Sequence, residues 1–229
     1  MVNKMKIDGI IYFAPDHPYM DLDWTNPRKM FDAFRSRIDG YYLKPAKHSL
    51  RNGDLFVAQL IGVCAIEAVM RVMKEMDPEV LKLRKQFEED NNINDWKYKQ
   101  TFNVGKVEWK KYFGKRYDLD DSQISDFYEN IRCGLVHEGR IKENKVLEAF
   151  GEGNYKRPMV ENEGTVFTHP KYLLECVPSF ISTIMENDNG DNGFELCCAL
   201  QRIFRSEINA YSDGEGHDLK SPLPVFIKV

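Results

Sequence analysis

No two cysteines in this 229-residue chain are spaced as Cys-x-x-Cys, and their number is odd: Cys64, Cys133, Cys176, Cys197 and Cys198. That argues against a disulfide framework, and no His or Cys pair has the spacing of zinc ligands. The cysteines read as small apolar core residues of a reduced, cytoplasmic protein. An excess of one charge is also lacking, with 32 Lys and Arg against 36 Asp and Glu and a net charge of −4. Binding to nucleic acid would therefore need a local basic patch, not a basic chain. No glycine loop for phosphate is present, because Gly151-Glu-Gly-Asn lacks a third glycine and a following helix. His137-Glu138 does not open a zinc-protease motif, since Ile141 stands at the second histidine position. No metal or other cofactor is expected. The N-terminus lacks the apolar run of a signal peptide. The longest apolar window, Leu55–Met73, carries Gln59, Glu67 and Arg71, groups that are costly in a bilayer. It reads as a buried core helix, and no membrane is expected as a partner.

The chain has ample material for a core, at 42% apolar and 12% aromatic residues. Residues 1–50 read as an irregular N-terminal extension. Within it Ile7–Phe13 suits a short strand, Asn26-Pro27 opens a helix with Met30, Phe31 and Phe34 apolar, and Tyr41–Ser49 reads as a loop containing Pro45. A helical core is expected over 52–211. Its longest helix covers about 52–76, where Leu55, Ala58, Ile61, Ala65, Ala68, Val72 and Met76 recur at helical spacing. Pro78 starts a helix through about Glu89. Trp96–Tyr117 alternates aromatics with lysines, and helix and strand are not separable there. Packing with aromatics inward and lysines outward accounts for it, as does stacking on single-stranded RNA. Residues 140–168 switch period, and Lys145–Phe150 and Thr165–Thr168 suit a small antiparallel β excursion. Helices at about 168–186 and 194–211 follow, the first with Pro178 inside it, and 212–229 forms a C-terminal tail. The fold class is mainly α, a helical bundle in one domain.

Residues 122–141 concentrate the chemistry. Ile124, Phe127, Ile131 and Leu135 line one helical face, and Asp121 or Ser122 caps its start. Arg132 borders the stripe one turn after Tyr128, and Gly139 marks a helix stop just past His137. A histidine moves a proton near neutral pH, and an arginine holds phosphate with a charge it keeps. Together they suit metal-free RNA cleavage, in which a 2′-hydroxyl attacks the adjacent phosphate. On a regular helix, however, positions 132 and 137 point roughly 140° apart. Meeting requires a distorted helix, a helix ending before His137, or a second subunit. Tyr128 and Asn130 are placed to position phosphate or base. Glu67 either faces the same cleft or pairs with Arg71 four residues on. Glu138, next to His137, is a candidate supporting or RNA-binding residue and equally reads as solvated.

Arg132-Cys-Gly-Leu-Val-His137, late in a helix after Phe-Tyr-Glu-Asn, resembles the Arg-x(4–6)-His motif of the HEPN superfamily. The helix at 52–76, with its acidic residue amid apolar positions, is similar to an earlier core helix of that fold. The resemblance covers about residues 52–186. It implies a helical bundle, a homodimer with two motifs facing across a cleft, and Arg132 and His137 as a catalytic pair. The implied activity is metal-independent endoribonuclease action on RNA, in a toxin–antitoxin or abortive-infection (phage-defence) setting where an inhibitory protein partner is expected. Cys133 stands where family members often carry a polar residue.

Two other readings stay open. Asp95 with Glu108-Trp109-Lys110 loosely fits the carboxylate pattern of a magnesium-dependent nuclease, given a strand over Val104–Trp109. A non-catalytic dimeric helical module is the third. His17, His48, His169 and His217 are scattered, and His169 belongs to a helix start.

Overall fold

The computed structural model describes residues 6–7, 10–90, 103–142, 145–147, 159–162, 165–186 and 195–204. The protein is mainly α-helical, with two small sheets. Chain contacts divide it into two compact units: residues 1–38, 71–103 and 184–229 in one, and 39–70 and 104–183 in the other.

In the first unit, strands β1 (Lys6–Ile7), β2 (Ile10–Ala14) and β3 (His17–Pro18) form an antiparallel sheet in that order. Helix α1 (Pro27–Ile38) follows, started by Pro27 and by the Asn26 side chain, which accepts the Lys29 N–H. Met30, Ala33, Phe34 and Ile38 recur at helical spacing and are all buried. Phe13 is the hub of this core. Its ring meets Tyr19, Trp24 and Phe204 edge-on, and Arg37 covers the Phe13 and Phe204 rings while donating to the Phe13 carbonyl. Helix α4 (Pro78–Glu89) and the helical residues 195–204 also belong here. They bring Arg84 and Arg202 onto the fully buried carboxylate of Glu75, which burial would otherwise penalise heavily.

Helix α2 (Lys44–Arg51), reached through a widened turn over Asp39–Leu43, opens the second unit. A loop is expected there because of Pro45, but Pro45 sits in the first helical turn, where its missing N–H costs nothing. Helix α3 (Leu55–Glu75) then begins, and the boundary between the units falls inside it. By length and composition α3 could cross a membrane, and half of its most apolar stretch is buried within the protein. Ala58, Val63, Ile66 and Val69 are among its fully buried residues.

Helix α5 comprises Lys106–Glu108, a widened π-type run over Trp109–Gly114, and Lys115–Tyr117. Helix α6 comprises Asp121–Asp126 and two π-type runs, Phe127–Arg132 and Gly134–Glu138. Its cap is Asp120, one residue before the expected cap. The Asp120 carboxylate accepts the Gln123 N–H, and the Gln123 side chain returns the bond.

The β excursion is a three-stranded sheet in the order β4 (Lys145–Leu147), β6 (Thr165–Thr168), β5 (Met159–Asn162). The two strands expected to form an antiparallel excursion, β4 and β6, pair in parallel; the antiparallel partner of β6 is β5, which the alternation of residue types does not announce. Helix α7 (Pro170–Glu186) continues through Pro178. The core of this unit is a cluster of Trp109, Phe113, Phe127 and Phe180, with ring centroids 5.0 to 6.1 Å apart. The expected tail at 212–229 lies outside the described residues.

Candidate functional site

The site is built on Glu67 of α3 and on α5 and α6, and its residues all lie within the second unit. The apolar face of α6 anchors it: Ile124, Phe127, Ile131 and Leu135 are buried, as their spacing predicts. Burying that face leaves Arg132 at the border of the core, with 12% of its side chain exposed. His137 lies beyond it on the open surface.

The helix is not regular between them. The Cys133 N–H bonds the Tyr128 carbonyl and the Gly139 N–H bonds the Gly134 carbonyl, each reaching back five residues instead of four. Each widened turn brings fifth neighbours together along the axis. Arg132 Nη1 and His137 Nε2 accordingly lie 2.9 Å apart, and the separation of a regular helix does not apply. An arginine has no lone pair to offer, so Nε2 accepts this bond, and a neutral imidazole then carries its proton on Nδ1.

Two glycines permit this geometry. Gly139 ends the helix at φ 65°, the left-handed conformation that glycine takes at least cost. The chain then doubles back along α6. The Arg140 N–H bonds the Gly134 carbonyl, and the Lys142 N–H bonds the Asn130 carbonyl, at 3.1 Å each. At Gly134 a Cβ would collide with the Arg140 carbonyl oxygen and press on the Lys142 side chain. Gly134→Ala is therefore expected to detach this return segment, costing about 1–3 kcal/mol. Hydrogen exchange would register it as lost protection at the Arg140 and Lys142 amides.

Glu67 of α3 locks the arginine. Its Oε1 accepts Arg132 Nε at 2.6 Å and its Oε2 accepts Nη2 at 3.0 Å, a two-pronged carboxylate–guanidinium pair. The Glu67 side chain is only 17% exposed. Glu67 is paired with Arg132, and Arg71, the alternative partner four residues on, stands exposed. Burial works against the Arg132 charge, but the Glu67 carboxylate outweighs it and holds the guanidinium protonated above its ordinary range. Tyr128 lies beneath, its ring centroid 5.4 Å from the guanidinium carbon. Burial pushes the Tyr128 hydroxyl up and the nearby Arg132 charge opposes this, leaving it above its usual value.

Two thiols border the pair. Cys133 Sγ receives Arg132 Nη1 across a long 3.8 Å contact, a weak acceptor for a strong donor. Burial, with help from Glu67, raises the Cys64 thiol above its ordinary value against the pull of Arg132.

The remaining expected site residues lie elsewhere. The Asn130 side chain donates to Asp126 one turn back at 2.7 Å, so its amide serves the helix. Glu138 faces solvent between Arg140 and Lys142, and Lys142 chiefly holds its carboxyl below the usual range. The magnesium-site geometry is not met. Lys106–Glu108 is helical, where a strand is required. Glu108 caps its own helix by accepting the Gly105 N–H, and Lys110 pairs with Asp121. Asp95 lies outside the described residues.

Trp109 is a further participant. Trp109 reads from sequence as one aromatic among several in a packing segment. Its indole N–H donates to Glu67 Oε1 at 2.9 Å. Neither residue has a local signal for this, because they are 42 positions apart. No family model, curated protein or solved structure matches this chain.

Proposed function

We propose that the chain is a metal-independent endoribonuclease of HEPN type, with Arg132 and His137 as its catalytic pair. The observation that carries this is the 2.9 Å approach of Arg132 Nη1 to His137 Nε2 at a surface-exposed helix end. Glu67 occupies Nε and Nη2, so the guanidinium is held on one edge and presents Nη1 outward. One Nη1 hydrogen goes to His137. The other meets only the weakly accepting Cys133 sulfur, which a phosphate oxygen readily displaces.

A phosphodiester bound there lies beside a proton-transfer group and against a fixed positive charge. When phosphate binding turns Nη1 toward the phosphoryl oxygens, His137 Nε2 is released and takes the 2′-hydroxyl proton as the 2′-oxygen attacks phosphorus. Arg132 balances the charge that builds on the phosphoryl oxygens, and the leaving 5′-oxygen takes a proton from water as its bond to phosphorus breaks. The products are a 2′,3′-cyclic phosphate and a 5′-hydroxyl, and no metal enters the step.

Two copies facing one another, as in HEPN dimers, would place the two pairs across one cleft. Val136, exposed beside His137, gives such a contact an apolar component. A cytoplasmic setting and a protein that restrains the enzyme belong to the same reading. Incubation with structured and single-stranded RNA in EDTA tests it. Cleavage that survives EDTA and leaves cyclic-phosphate ends is expected. Cleavage abolished by EDTA would overturn it.

A further inference from the structure

We infer that Trp109 is a positioning residue for this site, holding Glu67 in the orientation that aims Arg132 at His137. This rests on the ribonuclease reading for its consequence in catalysis, and on geometry alone for its structural part. The contacts run in sequence. Trp109 Nε1 donates to Glu67 Oε1 at 2.9 Å, Glu67 grips Arg132 Nε and Nη2, and Arg132 Nη1 donates to His137 Nε2.

The first link has a rigid base. Trp109 is fully buried, with its ring 5.0 Å from Phe113 and 5.3 Å from Phe127. A glutamate has three rotatable side-chain bonds, and without a second donor its carboxylate can turn while staying paired to an arginine. The indole N–H removes that freedom by fixing Oε1 from a different helix. It thereby references Arg132, on α6, to the aromatic core of α5. The burial of Trp109 explains why a tryptophan packs there. It does not require the N–H to meet a carboxylate already engaged by an arginine.

Trp109→Phe keeps a ring in the core and removes the donor. Nitrogen-15 NMR of the His137 imidazole at about pH 8, above the ordinary histidine range, reads the outcome without RNA. The wild-type protein should show the Nδ1–H tautomer that the Arg132 contact demands. In Trp109→Phe and in Glu67→Gln the population should shift toward Nε2–H. Turnover of RNA should fall about tenfold to a hundredfold with KM nearly unchanged, because positioning is lost and binding is not. A folded Trp109→Phe that keeps the wild-type tautomer and turnover overturns the proposal. If Trp109→Phe fails to fold, benzothienylalanine at position 109, with sulfur in place of N–H, gives the same readouts in an isosteric ring. If the wild-type protein cleaves no RNA, the ribonuclease reading falls, and the tautomer shift still decides the role of Trp109.

Discussion

His137→Ala should lower RNA cleavage by about 10²–10⁴-fold, the usual contribution of a positioned acid or base, with the fold intact. The imidazole is exposed, and its one described side-chain partner is Arg132 Nη1. Removing it opens no cavity and strands no buried group, so thermal unfolding should match that of the wild-type protein to within about 0.5 kcal/mol. Single-turnover cleavage of a labelled RNA and a thermal melt on the same preparation supply the two numbers. An Ala variant that cleaves at the wild-type rate would remove His137 from the chemistry, and a dimeric interaction module would then be the better reading.

Glu67→Ala should have the largest effect on stability. The carboxylate satisfies two nitrogens of a guanidinium that is 12% exposed and also the indole of a fully buried tryptophan. Its loss leaves a mostly buried cation without its counter-charge and a buried N–H without an acceptor. Losing one partner of a buried ion pair costs about 3–5 kcal/mol. The slight exposure of this pair argues for the lower end, about 3 kcal/mol. Arg71→Ala, by contrast, should change stability by no more than about 0.5 kcal/mol, since Arg71 is exposed. Urea denaturation of the two variants separates the readings of Glu67. Equal small effects would mean that the Arg132–Glu67 pair contributes little. RNA cleavage should also fall in Glu67→Ala, although Glu67 touches no substrate, because Arg132 is then free to turn away from His137.

The parts of the fold that were legible in the sequence share a cause. Helices α1, α3 and α6 each carry a burial stripe at helical spacing, and the ends of α1, α4 and α6 carry residues whose effect is local. Asn26 with Pro27 starts α1, Pro78 starts α4, and Gly139 stops α6. The readings that changed involve context. Pro45 reads as a loop residue when its helical position is unknown and as a first-turn residue once it is seen. The parallel pairing of β4 with β6 depends on how the chain returns, which alternation of residue types does not encode.

The stretch from Ser122 to Ile141 shows the same division within the site. Its residue types fixed the chemistry available: a permanent cation, a titratable base, an apolar face to anchor them and glycines to let the helix change form. The spacing of Arg132 and His137 argued against their meeting, because it assumed a regular helix. Long-range packing supplied the rest. The returning segment bonds to the carbonyls of Asn130 and Gly134, the turns widen so that fifth neighbours meet, and Glu67 arrives from α3 to hold the arginine. Each of these contacts joins groups set by the folded backbone. A residue's own neighbours in the chain determine its helix and its buried face; which charge it meets across the core depends on how those helices pack.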